Sequence, residues 1–278
     1  MTPEFSLAHL TLLESSPTEM INIAHGAGYD YVSLRLTPVS QNEQVFPMVS
    51  NRSFQKKIVS MLADTGVRLL DVELARLGAT DQPEDYLAIL EAAAILGAKH
   101  LICQVPDPDR LRAADKFAGL CELAKPFSLT IDLEFLPWTR TNELDDAASI
   151  VSQADSGNAG ILVDILHFAR SGSNLKQLRE LPREWFNFVH LCDADAEVPD
   201  TDSGLIHTAR HDRQFPGQGG INVEEIVSSL PHIPYSLEIP NTELHERLGG
   251  EEYARRALIA AREFFATRVD SSPNISQH

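Results

Sequence analysis

The sequence is short of positive charge and of long apolar stretches, and each shortage removes a class of function. Its 278 residues contain 23 lysines and arginines against 40 acidic residues, a formal net charge of −17. Such a surface repels nucleic acids and anionic membranes, although a few local arginines can still bind a small anion. No apolar run approaches the roughly 20 residues that a membrane-spanning helix needs. We therefore expect neither a nucleic-acid partner nor a membrane partner.

Cysteine is also scarce, which argues against a disulfide framework. Cys103, Cys121 and Cys192 are odd in number, widely spaced and form no Cys-x-x-Cys pattern, so reduced thiols are the simplest interpretation. The amino terminus (MTPEFSLAHL) has no basic segment before its apolar stretch, so no secretory signal is visible. The expected location is the cytoplasm. Strand alternation is expected to turn Cys192 away from the interior, and we do not propose it as a nucleophile.

Short β-rich runs alternate with amphipathic stretches along nearly the whole chain. The predicted strands are 5–10, 31–36, 67–74, 100–105, 129–135, 161–166, 186–192 and 235–239. The predicted helices are 17–25, 54–63, 84–96, 110–124, 144–153, 175–181, 223–230 and 251–266. This alternation predicts an α/β fold, a (β/α)8 TIM barrel formed by residues 1–268 as a single domain. An open doubly wound sheet is the alternative, but the segment after the first strand (TLLESSP) lacks the glycine-rich loop typical of that fold.

Two segments interrupt the alternation. Residues 193–220 are a long polar connection after the seventh strand, on the face where barrel active sites are built, and we expect a functional loop there. Residues 269–278 (VDSSPNISQH) are polar and have no periodicity, so they are predicted to be a disordered tail.

Four side chains near the ends of four successive predicted strands are the most informative feature. Each interrupts an apolar run, where burying an unpaired charge costs several kcal/mol. In a barrel they would project inward near one mouth, where one divalent cation could bind all four and keep positions open for substrate oxygens. Mn²⁺ is the first expectation, with Mg²⁺, Co²⁺ and Zn²⁺ as alternatives. Helix capping or pairing with arginine could explain any one of these residues, but it explains the placement of all four together less well. The four residues are Glu134, Asp164, His190 and Glu238.

Six further residues are candidates for substrate contact. His167 and Arg170 follow the strand-six aspartate, although a histidine packed at a helix start and a surface arginine are the alternatives. Arg213 and Arg210 lie in the long connection, where a guanidinium could hold a carboxylate, phosphate or enolate oxygen; for Arg210 a solvated loop position is equally compatible. The last two candidates are Glu73 and Trp138. Glu73 could instead form an inward ion pair with Arg35, and Trp138 could instead pack beneath a loop.

The order Glu, Asp-x-x-His, His and Glu on strands five to eight resembles the xylose isomerase-like TIM-barrel superfamily. That group holds sugar isomerases, ketose epimerases, inosose dehydratases and dehydroshikimate dehydratases. The Arg-x-x-Pro-Gly-x-Gly pattern from Arg213 to Gly219 and the stretch LEFLPW are similar to members of this group. The resemblance covers nearly the whole chain in element order. It implies that the four side chains bind one metal, that His167 and Arg213 contact substrate, and that Glu134 and Glu238 exchange protons on opposite faces of it.

The resemblance implies chemistry that begins at a carbon next to a carbonyl and passes through an enediolate. Our primary hypothesis is a divalent-metal-dependent isomerase or epimerase acting on a keto-sugar or related polyol. The alternative is a lyase that dehydrates a keto-cyclitol or a dehydroshikimate-like acid, because the PGQGG and SLEIPN segments look closer to the dehydroshikimate dehydratase branch.

Two further alternatives belong to other classes. A DNA-repair enzyme resembling endonuclease IV would use three metals and many more histidines, and the net charge opposes it. A barrel that binds without catalysis is the last alternative. The expected partner is a small molecule, and since oligomers are common in the group that the chain resembles, a homo-oligomer is left open.

Overall fold

The computed structural model describes residues 2–39 and 43–269. Eight parallel strands form a closed barrel in chain order, in which the last strand pairs with the first. The predicted (β/α)8 TIM barrel is therefore confirmed. The strands are β1 (Phe5–Leu7), β2 (Tyr31–Arg35), β3 (Arg68–Arg76), β4 (His100–Gln104), β5 (Thr130–Glu134), β6 (Ala159–Asp164), β7 (Val189–Leu191) and β8 (Tyr235–Leu237).

Eleven α-helices lie within the described ranges, and most of them follow a strand and cover the outside of the barrel. They are α1 (Pro17–Ala27), α2 (Arg52–Thr65), α3 (Leu87–Leu96), α4 (Arg110–Ala124), α5 (Leu144–Ala154), α6 (Ile165–Arg170), α7 (Leu175–Glu180), α8 (Asp202–His211), α9 (Val223–Ser229), α10 (Thr242–Leu248) and α11 (Gly250–Val269). None of these helices is long and apolar enough to cross a membrane.

Local sequence explains where the helices begin and end. Ser16 accepts a hydrogen bond from the Glu19 backbone while the Glu19 side chain accepts one from the Ser16 backbone, which fixes the start of α1. Gly28 ends that helix with a left-handed backbone at φ 88°, a conformation that glycine adopts without strain. Reciprocal capping and a glycine stop therefore fix both ends of α1, and side-chain caps also begin α2, α4 and α7.

The observed elements differ from the predicted ones mainly at the mouth of the barrel. β1 ends at Leu7, because residues His9–Leu12 form a 3-10 turn in place of the predicted strand end. The predicted loop 193–220 contains a ten-residue helix, α8, which begins where the Thr201 side chain accepts a hydrogen bond from Gly204 N–H. The short helix α10 was not predicted either. Val269 is the last residue of α11, and the rest of the predicted tail, 270–278, lies outside the described residues.

The core has two parts. The larger part lies between the outer face of the barrel and the helices, and it includes Phe5, Leu7, Tyr235 and Leu237. The smaller part lies inside the barrel, beneath the mouth, where the buried residues of one apolar cluster meet: Leu70, Leu74, Ile102, Leu162 and Phe188. Because side chains alternate along a strand, the residues between the outward-facing ones point into the barrel. Polar residues at the carboxyl ends of the strands that point inward therefore meet at the mouth of the barrel.

Candidate metal centre

Four neighbouring strands bring their polar end residues together at the mouth. Glu134 and Asp164 are the last residues of β5 and β6, His190 lies in β7, and Glu238 directly follows β8. One oxygen or nitrogen atom from each of the four side chains lies within 4.8 Å of all the others, and all four residues are buried. The predicted quartet is therefore assembled, because the carboxyl ends of parallel strands meet at one rim. It is the single such cluster found among the described residues.

The spacing of the four atoms suits one bound cation. His190 Nδ1 lies 3.5 Å from Glu134 Oε1, 3.6 Å from Asp164 Oδ2 and 3.2 Å from Glu238 Oε2. Ligands that bind one cation at roughly 2.0–2.2 Å lie about 3.0–3.5 Å from each other. Among the described residues, neither ring nitrogen of His190 has a hydrogen-bond partner of acceptable geometry. The distances and the unpartnered imidazole fit a divalent cation held by one nitrogen and three carboxylates.

Arg213 lies beside the quartet and neutralises part of its charge. Its Nη1 lies 2.6 Å from Asp164 Oδ2, its Nη2 lies 2.9 Å from Glu238 Oε2, and its Nε donates to the Ala209 carbonyl. The residue is 1% exposed, so both ion pairs are shielded from water. With a neutral His190, the three carboxylates and this guanidinium leave two negative charges in excess, which matches one divalent cation.

The electrostatics of the site favour positive charge. Burial raises the pKa of Asp164, but the Arg213 guanidinium and the His167 and His190 imidazoles outweigh it and hold that pKa well below the usual range. Burial lowers the pKa of His190, yet the surrounding carboxylates, Glu238 first among them, raise it well above the usual value. A pocket that keeps its carboxylates ionised and stabilises a cationic imidazole is suited to a bound cation.

Gln104 contacts the site but was not predicted. As the last residue of β4, it donates from Nε2 to Glu134 Oε2 at 2.7 Å. Burial raises the pKa of Glu134, but the neighbouring His190 and His167 imidazoles more than offset it and lower that pKa. A polar residue that ends the buried run HLICQ is the same kind of signal that identified Glu134, and it could have identified Gln104 as well.

A cavity of about 710 Å³ opens above the quartet. Its wall includes Trp138 and His167, whose rings meet edge to face with centroids 5.1 Å apart. The His167 backbone N–H donates to Asp164 Oδ1 at 3.0 Å, so the first turn of α6 ties this histidine to a candidate ligand. Three members of the quartet, Glu134, His190 and Glu238, line this cavity. Five of the six candidates for substrate contact line it as well: Glu73, Trp138, His167, Arg210 and Arg213.

Residues 21–264 match the family described as Xylose isomerase-like TIM barrel. The chain belongs to this family. An inosose isomerase of Bacillus velezensis is 26% identical over 188 residues, which cover 62% of this chain and 64% of that protein. A 3-dehydroshikimate dehydratase of Pseudomonas aeruginosa is 33% identical over 133 residues, which cover 46% of this chain and 20% of that protein.

The match to the inosose isomerases is partial, since it spans 56% of the length of a Bacillus subtilis relative. Among solved structures, the IolI protein with a bound zinc atom superposes with a TM-score of 0.78, covering 98% of this chain and 100% of that one. Its sequence identity of 18% means that the likeness shows the fold alone.

Glu73 in this xylose isomerase-like barrel forms an ion pair with Arg35. Arg35 Nε donates to Glu73 Oε2 at 2.8 Å, and Arg35 Nη1 lies 3.1 Å from Glu43 Oε2. The inward arginine–glutamate pair, which was the alternative to substrate contact, is therefore present, although both residues line the cavity. His9 has a structural position too: Nδ1 accepts from Arg35 N–H and Nε2 faces the Ser15 carbonyl.

Of the two arginines Arg170 and Arg210, which were candidates for substrate contact, only Arg210 lines the cavity. Arg170 donates to the Asp195 carbonyl and is absent from the cavity wall, so the structure does not bring it to the site. Arg210, on α8, is exposed and lines the cavity, as does the exposed Arg76 at the end of β3. Within the described ranges, neither of these two side chains has a hydrogen-bond or ion-pair partner, which leaves two guanidinium groups available at the cavity.

The expectation for Cys192 was wrong. Cys192 is two residues beyond His190, and side chains at i and i+2 point to the same face, so its Sγ lies 3.4 Å from Arg213 Nη1. Burial raises the pKa of this thiol to about 12, which keeps it protonated and unreactive. All three cysteines are unpaired and buried.

A buried carboxylate shapes the loop that carries Arg213. Asp193 accepts hydrogen bonds from the backbone N–H groups of Gly217, Gly219 and Ile221 at 3.0–3.1 Å. A Cβ on Gly219 would lie 2.4 Å from both Asp193 Oδ1 and the Ala194 carbonyl oxygen, and Gly217 has φ 80°. Gly217 thus supplies a left-handed backbone, and Gly219 lets the backbone approach the Asp193 side chain closely.

Proposed function

We propose that this chain is a divalent-metal-dependent isomerase or epimerase acting on a keto-sugar or a related polyol. The observation that carries the proposal is the convergence of three carboxylates and one imidazole at the base of an open cavity. The inosose isomerase relatives and the zinc-containing relative of the same fold support it. The proposed ligands are Glu134, Asp164, His190 and Glu238, and the cation is proposed to be Mn²⁺, with Mg²⁺, Co²⁺ and Zn²⁺ as alternatives.

A divalent cation at this site would supply Lewis acidity to a substrate carbonyl and the hydroxyl beside it. The proposed role of Glu238 is to remove the proton from the carbon next to that carbonyl, and the proposed role of Glu134 is to pass a proton taken up from water to the deprotonated substrate. Protonation on the other face gives epimerisation, whereas protonation at the neighbouring carbon gives isomerisation. Arg213 fixes the Glu238 carboxylate and Gln104 fixes that of Glu134, so both are oriented before substrate arrives.

His167 and Trp138 are the proposed substrate contacts nearest the proton-transfer groups. His167 Nδ1 is buried and has no hydrogen-bond partner among the described residues, which leaves it available to a substrate hydroxyl. Trp138 packs against the His167 ring and presents an apolar wall to the carbon skeleton. This pairing of a polar tip with an apolar wall is typical of sites for small polyols.

The decisive test follows deuterium from D₂O into recovered substrate, with inosose and free ketoses as probes and metal content measured in the same samples. Wild type should bind about one divalent ion per chain and incorporate deuterium. Glu238→Gln should lower incorporation by at least about 10²-fold, the usual contribution of a general acid or base. The matched control is Glu91→Gln, an exposed position on α3, which should exchange as wild type does. Undiminished exchange in Glu238→Gln would overturn the proposed role of that residue.

The second candidate is a lyase that dehydrates a keto-cyclitol or dehydroshikimate-like acid. It is favoured by Arg76 and Arg210, the exposed cavity arginines that lack side-chain partners within the described ranges, because two available guanidinium groups suit a carboxylate. The dehydratase relative supports it as well. Turnover of 3-dehydroshikimate with a rise in ultraviolet absorbance from a conjugated product would select this function.

The arginines provide a control for that choice. If the substrate is a carboxylate, Arg76→Gln with Arg210→Gln should raise KM for it at least about tenfold, while Arg140→Gln, exposed and absent from the cavity wall, should not. If the substrate is a neutral polyol, the double variant should leave KM close to the wild-type value.

The homo-oligomer and the cytoplasmic location remain predictions, and sedimentation velocity would test the first.

A further inference from the structure

A row of small polar side chains lies inside the barrel beneath the proposed metal ligands. Ser6, Ser33 and Ser236 lie on the adjacent strands β1, β2 and β8, and Asp71 lies on β3; all four are fully buried. Barrel interiors are usually filled by bulky branched side chains, as the other side is here by the apolar inner cluster. We name Ser6, Ser33, Asp71 and Ser236 the inner polar pocket.

Strand register connects this pocket to His190. Ser6 pairs with Ser236 between β1 and β8, and Ser236 pairs with His190 between β8 and β7. Paired residues on adjacent strands of a sheet point to the same face, so Ser6, Ser236 and His190 form one inward-facing row. Ser33 extends the row to Asp71, because its hydroxyl donates to Asp71 Oδ2 at 2.6 Å.

Four polar atoms of this row have no hydrogen-bond partner among the described residues. They are Ser6 Oγ, Ser236 Oγ, Asp71 Oδ1 and His190 Nε2. Buried polar groups in folded proteins are nearly always satisfied, by protein atoms or by ordered water. Beyond the effect of burial, which raises the pKa of Asp71 to about 7, the His190 imidazole has the largest influence on that carboxyl group. Asp71 and His190 are therefore close enough for the charge of one to influence the other.

The chemistry of the imidazole decides which way the hydrogen bonds run. His190 Nδ1 faces the three carboxylates, so a cation held there requires the Nδ1 lone pair and places the ring hydrogen on Nε2. That hydrogen lies on the part of the ring away from the carboxylates, where Nε2 is buried without a partner among the described residues, and it needs an acceptor. Asp71 Oδ1 can accept, and the serine hydroxyls can donate and accept, which provides the two to four partners that a buried water requires.

We propose that ordered water held by Asp71, Ser6 and Ser236 accepts the Nε2 hydrogen of His190 and so fixes the ring as a metal ligand through Nδ1. Asp71 and the two serines are thus positioning residues, which act on the metal through His190 and touch no substrate. This inference rests on the proposed function, because it requires His190 to bind the cation. It adds residues on β1, β3 and β8 to the determinants of metal affinity.

The test measures the zinc dissociation constant by competition with a chromogenic chelator. Asp71→Leu and the double variant Ser6→Ala with Ser236→Ala should each weaken zinc binding about 10- to 100-fold, the usual effect of losing support behind a ligating histidine. Asp71→Asn keeps an acceptor oxygen and should stay within about threefold of wild type. The control is Ser229→Ala, a buried serine on α9 whose hydroxyl donates to the Glu225 carbonyl outside the barrel.

Two outcomes separate this inference from the metal site itself. Wild type that binds no zinc would overturn the proposed function. Wild type that binds zinc, with Asp71→Leu and the double serine variant binding equally well, would overturn the inference alone. A high-resolution crystal structure of the zinc-loaded wild type supplies a readout independent of folding of the variants. It should show water within hydrogen-bond distance of His190 Nε2 and Asp71 Oδ1, and an apolar contact there would overturn the proposal.

Discussion

Asp164 at the mouth and Asp71 in the inner polar pocket are both fully buried, yet their carboxyl groups differ in charge state. Asp164 has the Arg213 guanidinium at 2.6 Å, and its pKa is held well below the usual range despite burial. Asp71 has a serine hydroxyl on one oxygen and no partner among the described residues on the other, and burial raises its pKa to about 7. Equal burial therefore produces opposite shifts, because the charges of the neighbours decide.

The comparison separates two tasks within one barrel. The mouth keeps its carboxylates ionised, as a cation site requires. The inner polar pocket holds a carboxyl group that is close to half protonated at neutral pH, together with neutral hydroxyls, which suits hydrogen bonding better than cation binding. Substitutions in each region should therefore differ in size and in pH dependence.

The largest effect is expected from removing the guanidinium at the mouth. Arg213→Met leaves Asp164 and Glu238 buried without their cationic partner, and breaking a buried pair costs about 3–5 kcal/mol. We expect that loss in the unfolding free energy of metal-free protein at pH 7, measured by urea denaturation with chelator present. Arg68→Met breaks the exposed pair with Glu4, in which the side chains are 54% and 45% exposed, and should cost about 0–1 kcal/mol. Equal losses would show that burial does not distinguish the two pairs.

The second effect concerns pH. The folded-state pKa of Asp71, about 7, lies above its ordinary value of 3.8, so the folded state holds this proton more tightly than the unfolded state does. The associated stability is fully present below about pH 4 and is lost as the pH rises toward 7. Asp71→Asn removes this dependence in metal-free protein. Its unfolding free energy relative to wild type should rise across that window by up to roughly 4 kcal/mol.

Asp107 provides a control of opposite sign for that experiment. Hydrogen bonds from Arg112 lower the pKa of Asp107 to about 2, so its contribution to stability is present above its ordinary pKa and is lost as the pH falls toward 2. Asp107→Asn should therefore be destabilising by a nearly constant amount from pH 4.5 to 7.5. A rising difference for Asp107→Asn, or a flat one for Asp71→Asn, would contradict the assignment.

The smallest effect is expected in the loop that carries Arg213 to the mouth. Gly219→Ala would press a Cβ against the Asp193 carboxylate and the Ala194 carbonyl, and overpacking of this kind costs about 1–3 kcal/mol. Gly157→Ala has no atom within 4 Å of the new Cβ and should be neutral or slightly stabilising. Thermal unfolding of the two variants checks the difference. An unchanged melting temperature for Gly219→Ala would show that the Asp193 side chain moves aside at little cost in stability.

Alternation of apolar and amphipathic segments predicted the barrel, because each strand and each covering helix must bury its own face. The four candidate ligands were predicted because a charge within an apolar strand is anomalous by itself. Gln104 was missed although it ends a buried run as Glu134 does. Ser6 and Ser236 were not predicted, since a small hydroxyl residue in a strand becomes informative only when strand register shows what lies beside it. The position of Arg213 depends on how residues 193–220 fold, and the polar helix α8 within them buries only Ala209, so it differs from the covering helices that each bury an apolar face.

The ends of that 193–220 connection are fixed by hydrogen bonds that do not depend on the sequence of α8. Asp193 and Gln214 exchange two backbone hydrogen bonds, Arg213 N–H donates to the Pro240 carbonyl, and the Asn241 side chain donates to the Arg213 carbonyl. Between these anchors, α8 presents Ala209, Arg210 and His211 to the cavity. Residues 196–211 thus form an exchangeable module: transplanting a different helix between the anchors would alter which substrates enter while the quartet on β5 to β8 stays in place, a practical starting point for directed evolution of this barrel.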